Sequence, residues 1–251
     1  MCLVLFALNQ HPDYPLILAG NRDEYHHRPA EAMHWWRDPP VLAGRDVSAG
    51  GTWLGLSAEG LFATVTNYRD PDYQRADAIS RGHLVLDALT CRDSAGFGQT
   101  LEQSGGRYNG FSLIWGSVFA GLRYYSNQEG AVRLIPDGVH GLSNGLLNTP
   151  WPKLVRLRGV LEQNLADDRA HDLEALFEMM ADHRPAPDDM LPETGVPRDW
   201  ERLLSSPFIV SPAYGTRATS VLVVGRDGTI TVGERTFDQN GACLNEQRFQ
   251  W

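Results

Sequence analysis

The chain has 251 residues, 42% of them hydrophobic and 21% charged, with 31 acidic residues against 22 Lys and Arg and a net charge of −9. That balance fits a globular protein with a sizeable core, read as one domain over residues 1–251. It argues against a nucleic-acid or anionic-membrane partner, and no run of about 18 apolar residues suggests an integral membrane segment, so a soluble, unexported, cytoplasmic protein is expected.

In chain order, the first chemistry-bearing residue is Cys2, ahead of the apolar run Leu3 to Leu8. If the initiator Met1 is removed, Cys2 carries both a thiol and an α-amine, whose reference pKa values are about 8.5 and about 7.7–8.0. One residue then supplies a nucleophile and its base. The other reading is a small buried hydrophobe that starts a strand.

The turn-rich stretch Asn9 to Pro15 leads to a second apolar run, Leu16 to Ala19, which ends in Gly20-Asn21-Arg22-Asp23-Glu24. The two runs form an antiparallel hairpin, which returns Asn21, Arg22, Asp23 and Glu24 to the side of Cys2. A cation there lowers a thiol pKa, a carboxylate holds an ammonium, and an amide donates to an oxyanion. Side chains alternate along a strand, so Arg22 and Glu24 share one face and Asn21 and Asp23 the other. Which pair meets Cys2 stays open. His26, His27 and His34 follow closely and offer a metal or the edge of a haem a set of nitrogens, but no paired helical spacing supports a dedicated metal site. Trp35 and Trp36 are read as packing.

Gly50 to Ser57 and Leu61 to Tyr68 make a second hairpin, closing on Asn67, and Gly50-Gly51 offers backbone N–H groups to a ligand. A third hairpin pairs Gly110 to Trp115 with Gly121 to Ser126. Helices are expected over Ser80 to Leu89, Trp151 to Leu165 and Asp172 to Asp182, the last with Leu173, Leu176, Phe177 and Met180 at helical spacing. Asn144 precedes the second of these helices. The proline-rich stretch His183 to Asp199 reads as a loop, and Arg217 opens a final hairpin over Arg217 to Val224 and Thr229 to Val232. Asn67 and Asn144 are candidate oxyanion donors or turn residues; Arg217 is a candidate cation for the thiol or for a carboxylate. Cys2, Cys91 and Cys243 are odd in number and far apart, which supports neither a disulfide framework nor a zinc site.

Met1-Cys2-Leu3, Gly20-Asn21-Arg22-Asp23-Glu24, Leu42 to Asp46, Ala49 to Gly55, Thr66 to Asp70, Gly141 to Asn144, Thr149 to Lys153 and Tyr214 to Arg217 together resemble the NRDE family, also called the transport and Golgi organisation protein 2 family. The resemblance runs through to Glu234-Arg235-Thr236-Phe237. It implies an α+β fold of the N-terminal nucleophile hydrolase kind, a four-layer αββα sandwich of two antiparallel sheets. The chemistry implied is that of cysteine amidases such as choloylglycine hydrolase and penicillin V acylase. Cys2 matches their nucleophile, whereas their arginine lies three residues before their aspartate and Arg22 and Asp23 are adjacent here. The resemblance implies two functions: an N-terminal cysteine hydrolase acting on a small-molecule amide or thioester, or a non-catalytic carrier of haem or an acyl or lipid ligand. Links of the family to acyl-coenzyme A homeostasis and haem trafficking bear on both. No cofactor is expected for the hydrolase.

Overall fold

A computed structural model describes residues 2–71, 74–91 and 93–251 of the chain. Met1, and with it the expectation of its removal, lies outside the described residues. In chain order the strands up to the first helix are β1 (Cys2–Leu8), β2 (Leu16–Tyr25), β3 (Ala30–Trp35), β4 (Val41–Asp46), β5 (Leu54–Ser57) and β6 (Leu61–Asn67). Helices α1 (Gly82–Thr90) and α2 (Ser94–Ser104) follow, then β7 (Phe111–Ser117), β8 (Gly121–Ser126), β9 (Arg133–Leu134) and β10 (Gly138–Leu142). The chain continues through α3 (Pro152–Ala166), α4 (Leu173–Met180) and α5 (Arg198–Leu204) to β11 (Tyr214–Val224), β12 (Ile230–Phe237) and β13 (Cys243–Gln250). Among the described residues no helix is long and apolar enough to cross a membrane.

These elements form two compact units, each built on one antiparallel sheet. The first comprises the chain up to His27, Asp137–Ser143 and Leu147–Trp251. Its sheet has the order β10-β1-β2-β11-β12-β13. Directly opposed residues of neighbouring strands share a face, so the register sorts the side chains. Leu3 opposes Asn21, Leu5 opposes Ala19 and Ala7 opposes Ile17, and Asn21, Ala19 and Ile17 oppose Thr219, Val221 and Val223. This face packs on α3 and α4 through Leu154, Leu157, Leu161, Leu173, Leu176, Phe177 and Met180. The other face carries Cys2, Val4, Phe6 and Leu8 opposite Arg22, Gly20, Leu18 and Leu16, and its apolar members are buried as well. A strand buried on both faces reads as a continuous apolar run, which is how β1 looks in the sequence.

The helices begin where local chemistry allows. Pro152 occupies the first turn of α3, where its missing N–H costs nothing. The Asp172 carboxylate accepts from the Glu174 N–H at 2.9 Å and caps α4, supplying one of the bonds that a helix start lacks.

The second unit comprises Arg28–Pro136 and Asn144–Leu146, with strand order β3-β4-β5-β6-β7-β8-β9. One of its faces packs Ala43, Ala63, Val65, Leu113 and Trp115 on Leu84, Val85 and Leu89 of α1 and Phe97 and Leu101 of α2. The molecule is thus α+β, with two antiparallel sheets that each carry helices. The hairpins expected from the sequence are β1–β2, β5–β6, β7–β8 and β11–β12. Strands β3, β4, β9, β10 and β13 and helices α2 and α5 are additions. Gly50 does not present its N–H group to a ligand as expected. The Gly50 N–H donates to Asp46 O at 2.7 Å, and a Cβ on Gly51 would lie 2.5 Å from the Gly82 carbonyl carbon. Gly51 is required there so that α1 can begin against it.

Candidate functional site

Cys2 opens β1 and opposes Arg22 directly. The pair that shares its face is therefore Arg22 with Glu24; Asn21 and Asp23 point to the helix-bearing side. Arg22 is 5% exposed, and its Nη2 lies 4.0 Å from Glu24 Oε2. The Cys2 thiol is half-buried. Burial pushes its pKa up; the Asp23 carboxylate adds to the rise and Arg22 opposes it. A thiol lowered by its arginine, as the sequence suggested, is not what these surroundings produce: loss of hydration outweighs the cation.

On the reverse face Asn21 is 2% exposed and its amide is committed to the scaffold. Its Nδ2 donates to Met180 O and to Pro207 O, both at 2.9 Å, and its Oδ1 accepts from the Thr219 hydroxyl at 2.6 Å. Asp23, at 1% exposure, accepts from the Thr216 hydroxyl at 2.7 Å. Burial raises the Asp23 pKa, against which the charge of Lys153 is the strongest counter-influence, with the Thr216 bond and Arg22 acting in the same direction. Asp23 acts on the thiol electrostatically from the side of the sheet opposite Arg22.

Arg217 is the extra residue of a β-bulge where β11 pairs with β2, between Thr216 and Ala218. Bulges re-aim a side chain, and this one brings Arg217 within charge range of Arg22. Burial lowers the Arg217 pKa, Arg22 lowers it further and Glu24 opposes both. Its Nη1 donates to His26 O at 3.0 Å, while its Nε is buried with no hydrogen-bond partner. Asn67 and Asn144 belong to the second unit, where the Asn144 amide donates to Asn67 O at 3.0 Å and Asn144 O accepts from the Arg69 N–H at 2.9 Å. Each asparagine thus closes the end of β6.

The early histidines do not converge. His26 bonds Ser211 O and His34 bonds Ala32 O, each at 2.9 Å. The Trp36 indole N–H donates to Ala43 O at 2.9 Å, a packing role as expected. A different cluster, unseen in the sequence because its members are 157 residues apart, joins His11, Asp168 and His171. His11 Nε2 lies 2.8 Å from Asp168 Oδ1, and its Nδ1 accepts the Asp13 backbone N–H at 3.1 Å. The ring proton therefore sits on Nε2 and points at Asp168. A metal-ligating histidine instead donates from its outer nitrogen, so this donor set fits a hydrogen-bonded clasp between two loops rather than a cation.

Comparison with known proteins adds the family and the fold. The profile of the family described as Transport and Golgi organisation 2 matches residues 1–239. The Transport and Golgi organization protein 2 homolog of Bos taurus is 36% identical over 259 residues, covering 94% of this chain and 93% of the relative. The Homo sapiens homolog is 33% identical over the same shares of both chains. Among solved structures, a mutant conjugated bile acid hydrolase from Clostridium perfringens matches with a TM-score of 0.52 at 9% identity, over 99% of this chain and 92% of that chain. A further variant of that hydrolase gives a TM-score of 0.51 at 10% identity over the same shares. This likeness shows that the chain shares the fold of that hydrolase.

Proposed function

The chain belongs to the Transport and Golgi organisation 2 family, and from that premise we propose that it is an N-terminal cysteine hydrolase of a linear amide or thioester, with Cys2 as nucleophile once Met1 has been removed. The observation that carries this reading is the register of Cys2 opposite Arg22, with the Asp23 carboxylate acting on the same thiol.

The chemistry follows from the raised thiol. A thiol whose pKa is pushed up by burial holds its proton at neutral pH and needs a base. The α-amine of Cys2, with a reference pKa of about 7.7–8.0, is that base. It takes the thiol proton and becomes an ammonium, which Asp23 stabilises; Arg22 stabilises the thiolate. The sulfur attacks the acyl carbonyl and forms a thioester, and the ammonium returns its proton to the departing amine or thiol. Water then cleaves the thioester, releasing the acid and the free thiol. Arg217 is assigned to hold substrate charge. Asn21 and Glu24 are assigned to hold Asp23 and Arg22 in place. We also propose that both units serve one functional domain, since the family profile runs through both without a break.

The second reading, a carrier of haem or an acyl ligand, is favoured by the same raised thiol taken alone, because a non-catalytic Cys2 needs no activation. Acyl amides and acyl thioesters, including acyl-coenzyme A, are the assay panel. Turnover that is lost in Cys2→Ala supports the hydrolase. Ligand binding without turnover, unchanged in Cys2→Ala, supports the carrier.

A further inference from the structure

The helix-bearing face of the first sheet carries a concave site of its own, on the side opposite to Cys2. Thr219 opposes Asn21 and Arg235 opposes Thr219, so both lie on that face. They line a cavity of about 330 Å³ together with Phe237 of β12, Phe177 of α4 and Phe208, which lies between α5 and β11. That volume falls within the range of small-molecule sites. Two small residues complete the lining: Ala181, which follows α4, and Gly241, in the turn between β12 and β13. Gly241 has a φ of +78°, and a Cβ there would lie 2.9 Å from Val210 Cγ2 and 3.3 Å from the Phe208 ring, so a larger residue is disfavoured at that point.

The aromatic walls are fixed before anything binds. Phe177, Phe208 and Phe237 are all buried. Phe208 and Phe237 meet edge to face, with centroids 4.8 Å apart at 84°, and His183 packs on Phe208 at 4.6 Å. The Arg235 guanidinium lies over the Phe177 ring at 4.1 Å. Such walls attract a planar ring beyond the gain from buried area, without the cost of ordering side chains.

The polar groups restrict the charge of a ligand. The Thr219 hydroxyl is committed to Asn21 Oδ1 at 2.6 Å. Arg235 gives Nε to Glu246 at 2.8 Å and Nη2 to Glu174 at 2.7 Å, and among the described residues its Nη1 makes no hydrogen bond. Arg248 pairs with the same two carboxylates, so two guanidiniums and two carboxylates cancel. A neutral acceptor suits the remaining donor, whereas an added anion meets no net positive charge.

We propose that this cavity binds a small uncharged aromatic ligand that carries a carbonyl or similar acceptor for Arg235. About two fused rings fit, since an apolar cavity of about 150 Å³ holds one benzene. The inference is independent of the chemistry assigned to Cys2.

The test titrates the full chain with Prodan, a neutral naphthalene ketone whose emission moves to the blue in apolar surroundings. Saturable binding with one probe per chain and a blue shift are expected. At about ten times its Kd the probe leaves about a tenth of the sites open, so iodoacetamide labelling of Cys243, which lines the cavity, should slow by up to about tenfold. Cys91, in the second unit, should label at its original rate. Ala181→Trp fills the cavity from an exposed position and should weaken binding by about tenfold or more, because its ring clashes with the probe. Dimethylaminonaphthalene, which lacks the ketone, should bind the parent about tenfold more weakly, the worth of one hydrogen bond to a charged donor. In Arg235→Met that difference should vanish, while Glu174 and Glu246 keep Arg248 as their partner.

Absence of saturable binding overturns the inference. So does binding that survives Ala181→Trp, or that leaves Cys243 unprotected. Displacement of the probe by decanol at lower concentrations than by acetonaphthone overturns the aromatic class in favour of an alkyl chain. If Ala181→Trp folds poorly, the protection of Cys243 in the parent decides alone.

Discussion

Replacing Asn21 with Leu tests whether that residue is part of the frame rather than of the chemistry. The side chain is 2% exposed, and its amide binds Met180 O and Pro207 O at 2.9 Å and the Thr219 hydroxyl at 2.6 Å. Leucine has nearly the same volume, so no cavity opens, but two carbonyls and one hydroxyl lose their partner in a dry interior. A buried group left unsatisfied costs about 1–3 kcal/mol. Three coupled groups that share one relaxation then cost about 3–4 kcal/mol rather than a full sum. For a protein of this size about 1 kcal/mol lowers Tm by roughly 2–4 °C, so Asn21→Leu should melt about 6–16 °C below the parent. Calorimetry and urea denaturation both measure this. Thr219→Val removes the hydroxyl that Asn21 accepts, and the double variant should lose less than the two single losses combined. A destabilisation below about 1 kcal/mol would refute the assignment. So would a chain of parental stability whose Cys2 no longer labels, which would make Asn21 a direct participant.

Other outcomes follow from the same geometry. While Met1 is retained, the raised Cys2 thiol should label with iodoacetamide at pH 7 more slowly than the exposed Cys243, and removal of Met1 should reverse that order. Asp182 provides an acid-limb test: burial pushes its pKa up, but bonds from Arg184 and the charge of Arg156 hold it down at about 2. A folded pKa below the unfolded one gives stability that is complete above about pH 4 and lost as pH falls toward 2, on the order of 2 kcal/mol in all. Asp182→Asn should flatten the melting temperature across that window, which a thermal scan in steps of pH would read. Gly51→Ala should prevent α1 from starting where it does, because the added Cβ meets Gly82 backbone at 2.5 Å; a soluble variant with parental helical circular dichroism and parental Tm would contradict this.

The hairpin that builds the candidate site was legible because its strands are apolar runs broken by Asn, Pro and Asp. The ambiguity was register: a shift of one residue exchanges Arg22 for Asn21 beside Cys2, and only the pairing of Cys2 with Arg22 decides it. Strand β13 was missed because Cys243 to Glu246 are all exposed and show no alternation. Helix α2 was missed because Gly96 and Gly98 lower its propensity, while the cap that starts it, Asp93 accepting from Ala95 N–H, is a local bond without a hydrophobic signal. Lys153 reads in the sequence as an ordinary polar residue at a helix start. Its burial depends on how α3 and α5 pack. The rise of the Cys2 thiol is likewise a property of the packed site, since composition shows the arginine nearby but not the lost hydration.

The central claim is that the α-amine of Cys2 is the base for its own thiol. The direct measurement compares two samples of the same chain, one with Met1 removed and one in which it is retained, by intact mass after exposure to an activated acyl thioester. The account predicts a single acyl adduct on Cys2 in the first sample, absent from its Cys2→Ala variant and reduced at least tenfold in the second sample, about the effect of losing a general base. Equal acylation of Cys2 in both samples, or none in either, would contradict it.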